Sequence, residues 1–342
     1  MNRQSPPEII QLIVKASLDP VNTAHRVSCF TRYSTLKNYS LLNSTWREVC
    51  KPSLYKIVMI WSEGAALDFV RVAAGQGGAI GGVEMMNIDC YCWSNTRPTA
   101  LLGCVLQLRS LTLSNAAFHA EDLTNSHRLQ NLTLDYCTVL PPSPSTHLHI
   151  RHLHIDSSTS STSFTALRAL LTPAVLPNLR EVDLNDAHLY NLTALIPQLS
   201  ALQLDSGPIV RYLPLATSLR LLSLDAVACG QVLRSLTPLT PLPPFLLLRN
   251  THTHNSLRLV HVLDYLIANP TRGLTRIFAD CQRVKDPSHD GKLNWLIVAL
   301  GSKGIVVEIG RFTFSEAIRR MDAILLAAKE AAEKREWDGL RR

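Results

Sequence analysis

Two histidines two residues apart, His152 and His154, are a dense cluster of chemically capable side chains, with His147 and His149 just upstream. A His-x-His pair on one strand face can begin a zinc site, provided neighbouring strands add ligands. The flanking positions are Asn131, Thr133, Glu181 and Asp183. The preferred reading is a pair of solvent-facing histidines with no metal or other cofactor. A second candidate is a recurring aspartate: Asp89, Asp135, Asp156, Asp205 and Asp225 share one place in a repeated phrase, with Ser114 and Asn185 filling two further copies. Carboxylates about 5 Å apart repel by roughly 1 kcal/mol in water. Each must therefore be occupied, either by backbone N–H groups of a strand-to-loop turn or by a cationic ligand such as a Lys/Arg-bearing segment. Asp183 lies on the strand just before that place and belongs to the same candidate surface.

Other chemistries find no support. The glycines from Gly75 to Gly82 follow a helical stretch and precede a strand, the reverse of a dinucleotide-binding order, and no Gly-Lys-Ser/Thr closes them. They read as a turn. The eight cysteines contain no C-x-x-C pair, which argues against structural zinc. There is no G-x-S-x-G and no H-E-x-x-H, and no nucleophile stands at recognisable spacing from a base. The expectation is a protein that is not an enzyme.

What positions these residues is the phrase L-x-x-L-x-L. It stands at Leu108-Leu111-Leu113, Leu129-Leu132-Leu134 and Ile150-Leu153-Ile155, each 21 residues after the last. It returns at Leu179-Val182-Leu184, Leu199-Leu202-Leu204 and Leu219-Leu222-Leu224, after steps of 29, 20 and 20. Val83-Met86-Ile88 precedes these copies; Leu242-Phe245-Leu247, Leu274-Ile277-Ala279 and a strand around Ile305–Ile309 follow. A fixed period is the mark of stacked units, because one unit cannot bury its own apolar face. Alternation along a strand turns the leucines inward and the x residues to the opposite, concave face. Longer steps imply helices on the convex side, at 164–171, 257–268 and 293–300.

The 342 residues are 46% hydrophobic and 18% charged, against roughly 25% charged in ordinary soluble domains. The net charge of +7 lies at the ends: +5 within residues 1–60 and +2 within 311–342, leaving 61–310 balanced. A repeat array without basic bias is not a nucleic-acid groove. No apolar window reaches the ~18 residues of a membrane span, and no signal-like segment opens the chain. The expected location is cytoplasmic or nuclear.

Residues 1–54 read as a small helical domain. One helix starts at Pro6-Pro7-Glu8 and carries Ile9, Ile10, Ile13 and Val14; a second runs from about Ser34 to Cys50 and is stopped by Lys51-Pro52. Residues 55–312 form the repeat array. Residues 313–342 form an amphipathic helix whose apolar side is Phe314, Ile318, Met321 and Leu325, expected to cap the open end of the array.

The repeats resemble leucine-rich repeats, with Cys137 at the Asn/Cys position that follows the phrase. The segment from Pro6-Pro7-Glu8-Ile9-Ile10 to Leu42, Trp46-Arg47 and Pro52-Ser53-Leu54-Tyr55 resembles an F-box. Together they are similar to F-box proteins with divergent leucine-rich repeats of fungal type. The resemblance implies an α/β fold: an N-terminal helical domain, a solenoid with parallel strands on its concave face, and a C-terminal helix. It also implies a substrate-recognition subunit of a cullin-RING (SCF-type) ubiquitin ligase. Pro7, Ile9, Ile10, Ile13, Leu42 and Trp46 would meet a Skp-type adaptor protein. Asp135, His152, His154, Asp156, Asp183, Asp205 and Asp225 would face a protein client. The rival reading is a freestanding leucine-rich scaffold or regulator, for instance a GTPase-activating type, in which the apolar residues around Trp46 merely cap the array.

Overall fold

The computed structural model describes residues 7–17, 26–75, 82–91, 98–156, 164–184, 191–204, 209–235, 241–249, 256–269, 272–280 and 287–340. The chain divides into two compact units, residues 1–150 with 158–166, and residues 151–157 with 167–342.

The first unit opens with three helices, α1 (Pro7–Ser17), α2 (Arg26–Ser40) and α3 (Ser44–Leu54). The second helical stretch expected from the sequence is thus interrupted at 41–43, and its first part begins earlier than expected, at Arg26. Asn43 causes the break: it is extended, at φ −166° and ψ −178°, and its side chain accepts the Trp46 N–H at 3.0 Å. An amide oxygen at this place satisfies an N–H that the first turn leaves bare. Helix α3 does not stop at Lys51-Pro52. Pro52 sits in its last turn, where the missing N–H costs only a local bond, and the Tyr55 N–H returns to the Lys51 carbonyl at 3.3 Å. Ile10 and Val14 of α1, Leu36 of α2 and Cys50 of α3 meet in one buried cluster, with Tyr39, Trp46, Val49 and Leu54 packed around it.

The repeats follow: β1 (Ile57–Ile60), α4 (Glu63–Gly75), β2 (Met85–Asp89), α5 (Pro98–Leu102), β3 (Ser110–Ser114), β4 (Ala117–His119), β5 (Asn131–Asp135) and β6 (Thr138–Leu140). Strands β1, β2, β3 and β5 pair in parallel, and the register sets Leu111 opposite Leu132 and Leu113 opposite Leu134. Strands β4 and β6 form a second short parallel ladder. The repeat leucines are completely buried, while Ser110, Thr112 and Thr133 on the variable face are half-buried and Asn131 is exposed. Cys137 stitches repeats together: its buried thiol donates to the Leu113 carbonyl at 3.1 Å, and burial pushes its pKa up to about 11. The glycine cluster at 76–81 lies outside the described residues.

The chain continues with β7 (His152–Ile155), α6 (Phe164–Leu170), β8 (Glu181–Leu184), β9 (Ala201–Leu204), β10 (Leu221–Asp225), α7 (Ala226–Ser235), β11 (Phe245–Arg249), α8 (Ser256–Ala268), β12 (Arg276–Asp280), α9 (Pro287–Gly301), β13 (Val306–Gly310) and α10 (Phe314–Leu340). Strands β7 to β13 pair in chain order, all parallel. Among the described residues, eleven strands therefore carry the repeat pattern, four in the first unit and seven in the second, and the fold is mixed α/β. Short repeats return through 3₁₀ turns such as Ile196–Gln198 and Leu213–Leu215. Long ones return through α7, α8 and α9, which pack on one another, with α7 against β10 and β11 and α9 against β13. One return needs glycine: at Gly273 (φ +92°) an added Cβ would stand 2.5 Å from the Leu242 carbonyl oxygen.

Helix α10 does not cap the end of the ladder. Phe312 and, on α10, Phe314, Ala317, Ile318 and Met321 bury against Ala201, Leu221, Phe245, Leu247 and Phe278, the variable-face residues of β9 to β12. Apolar side chains at these positions would otherwise face water, and covering each large one gains about 1.5–3 kcal/mol. The second unit thus has three layers: α7–α9, the sheet, and α10.

The two strand faces make different demands. Leu134→Ala should cost about 2–5 kcal/mol in urea unfolding, through lost transfer energy plus a cavity. Thr133→Ala, on the variable face of the same strand, should change stability by less than about 0.5–1 kcal/mol.

Candidate functional site

Register places the histidines of the second unit beside carboxylates. His152 stands opposite Glu181, and His154 opposite Asp183. One file across the variable face then runs His152, Glu181, Ala201, Leu221, Phe245, and the next runs His154, Asp183, Gln203, Ser223, Leu247. The first four members of the second file form one hydrogen-bonded chain. Ser223 Oγ donates to Gln203 Oε1 at 3.0 Å, Gln203 Nε2 donates to Asp183 Oδ1 at 2.6 Å, and His154 Nδ1 meets Asp183 Oδ2 at 2.7 Å. Ser223 is fully buried and Gln203 nearly so, which leaves this chain to satisfy itself. The serine hydroxyl is spent on an amide, and two side chains separate it from the imidazole. The arrangement is a polar brace across four strands.

In the first file, Glu181 is buried and accepts from Arg151 at 3.1 Å, with His152 Nδ1 at 3.4 Å. Burial acts to raise the pKa of both acids. For Glu181 the hydrogen bond from His152 and the charges of Arg151 and His152 outweigh it. For Asp183 the hydrogen bond and charge of His154, the Gln203 amide and the Arg249 charge do the same. Both carboxyls are held below their ordinary range.

The strand-end aspartates are mostly engaged by groups of the adjacent repeat, and Asp89 by its own turn as well. Asp89 Oδ1 accepts the Tyr91 N–H at 3.2 Å and the Asn115 side-chain amide at 3.0 Å. Asp135 accepts the Ser114 hydroxyl at 3.4 Å, and Asp280 the Phe312 N–H at 3.2 Å. Asn115 and Tyr136, directly after β3 and β5, adopt left-handed φ of 55° and 52°, which tightens these turns. Asp225 is half-buried and opposite Arg249 in register. Asp156 is exposed, and Asp205 lies outside the described residues. Of the expected client-facing set, His154 and Asp183 are joined directly and His152 is joined to Glu181, while Asp135 and Asp225 sit at strand ends. Sequence reading missed Gln203 and Ser223 as members of the brace. Their shared place in successive repeats was the available signal.

The helical segment sorts the other candidates. Ile10 is in the core and Trp46 half-buried, its ring 5.2 Å from that of Tyr39. Pro7 is exposed, as are Ile9, Ile13 and Leu42 (61%). Leu12 (66%) and Leu41 (68%) join this exposed set and were not among the expected residues. Helix α1 therefore has two apolar stripes, Ile10–Val14 turned in and Ile9–Leu12–Ile13 turned out. Glu8 and Gln11 occupy the polar side of the helix, so the outward stripe is apolar surface that remains exposed among the described residues.

Among the described residues no helix is long and apolar enough to cross a membrane. No protein-family model matches the chain, and no curated protein is similar to it.

Two outcomes follow from the buried acids and the brace. A carboxylate with a lowered folded pKa contributes stability that is complete above its unfolded pKa, near 3.8 for Asp and 4.5 for Glu, and is lost as pH falls through the folded value. The Glu181→Gln, Asp183→Asn double variant should therefore lose less stability than the wild type on acidification from about pH 5 to 3, measured by thermal melting. Ser223→Val should cost about 1–3 kcal/mol by leaving the Gln203 oxygen unpartnered in a buried place.

Proposed function

We propose that this chain is a substrate-recognition subunit of an SCF-type ubiquitin ligase, with no chemistry of its own. In this reading residues 1–54 are an F-box-like domain that docks on a Skp-type adaptor. The strands are leucine-rich repeats that hold a protein client in the cytoplasm or nucleus. The observation that carries it is the exposed set Ile9, Leu12, Ile13, Leu41 and Leu42 on a helical segment whose own core is already closed by Ile10, Val14, Leu36 and Cys50. Several large aliphatic residues exposed on one small segment mark a protein-binding surface.

Ile10 and Trp46 help build the helical core, so truncating them would unfold the segment as well as alter a surface. The informative variant is Ile9→Asp with Ile13→Asp and Leu42→Asp. Pull-down of the full chain with a purified Skp-type adaptor should succeed for the wild type and fall at least about tenfold for this triple variant, with circular dichroism unchanged. A wild type that does not bind the adaptor would favour a freestanding scaffold.

A further inference from the structure

The variable face of the second unit changes character along the ladder. On β7 and β8 it is His152, His154, Glu181 and Asp183; on β9 to β12 it becomes mainly apolar, with Ala201, Leu221, Phe245, Leu247 and Phe278 beside the polar Gln203, Ser223 and Arg276. These apolar residues form the seat of an amphipathic helix, and the helix in it is α10. Its anchors are Phe314, Ile318 and Met321, at the 3- and 4-residue spacing of one helix face, with Ile324 and Leu325 partly buried beyond them. Phe314 lies 6.2 Å from the His152 ring. The perimeter is fastened by half-exposed ion pairs, Arg151 with Asp322 at 4.0 Å and Arg320 with Glu308 at 3.3 Å. Such pairs are worth little individually and weaken with salt.

Topology lets this helix leave. It contributes no strand, and its departure breaks no ladder hydrogen bond. Every described side chain from 326 to 335 is exposed, so that stretch anchors nothing.

We infer that the apolar face of β9–β12 is a helix-binding site held shut by α10, and that the client docks there through an amphipathic helix with the same anchor spacing once α10 lifts. This rests on the client-recruiting reading above and adds the chemistry of the partner and its control. A client helix must outcompete a tethered one, whose effective concentration is of millimolar order.

The test uses the full chain, a synthetic peptide of residues 312–328, and the release variant Ile318→Asp with Met321→Asp. The variant should bind the peptide at least about 100-fold more tightly than the wild type does, because the tethered helix no longer competes. A scrambled peptide should bind neither. Equal binding to both chains, or to the scrambled peptide, overturns the inference. If the variant fails to fold, hydrogen exchange of the wild type decides: amides of residues 314–325 should open at least about 100-fold more often than those of β9–β12. Opening only together with the ladder would make α10 a permanent layer and overturn it. A wild type that dimerises by exchanging α10 would make a second copy the occupant, with the same consequence. None of these readouts involves the adaptor, so their failure is separate from failure of adaptor capture.

Discussion

The structure depends on one constraint, the parallel register that sets each repeat's leucines beside those of the next. A strand of four or five residues cannot bury an apolar face alone. Once Leu111 is opposite Leu132, and Leu202 opposite Leu222, alternation obliges the intervening residues to form files on the other face. A slip of one residue would put leucines into water and polar side chains into the core. The leucine face is therefore much the same from repeat to repeat, and individuality is confined to the variable face and the returns.

That face is used differently in the two units. In the first, it carries neutral hydrogen-bonding groups such as Ser110, Thr112, Asn131 and Thr133, which tolerate water. In the second, it becomes apolar on β9 to β12 and takes a helix as cover. Covering it also dries the neighbouring polar file. Ser223 and Gln203 lose access to water, and the chain of bonds to Asp183 and His154 supplies what water would have given. The same drying explains why two acids there must be paired with Arg151, His152 and His154 to stay ionised.

Much of the architecture was legible in the chain. The spacing of aliphatic residues located the strands, and the longer steps located α8 and α9 as returns. Helix limits were less legible. Asn43 interrupts what reads as one apolar period, and only its cap geometry reveals that a new helix begins there. For α1, the periodicity reports two apolar stripes without saying which faces inward. Contacts with Leu36 and Cys50 settle that in favour of Ile10 and Val14.

From composition and spacing alone come the α/β class, the parallel pairing and the identity of the residues sharing each file, because side-chain alternation is a local property of any strand. Where α10 lies does not follow, since an amphipathic helix reports that it needs an apolar seat and not which one. The pairing of His154 with Asp183, 29 residues away, and the engagement of strand-end aspartates by groups of the adjacent repeat likewise depend on neighbours brought together by folding. Local patterns specify which surfaces must be covered; the assignment of cover to surface is a competition among all the apolar faces of the chain, and only the folded whole resolves it.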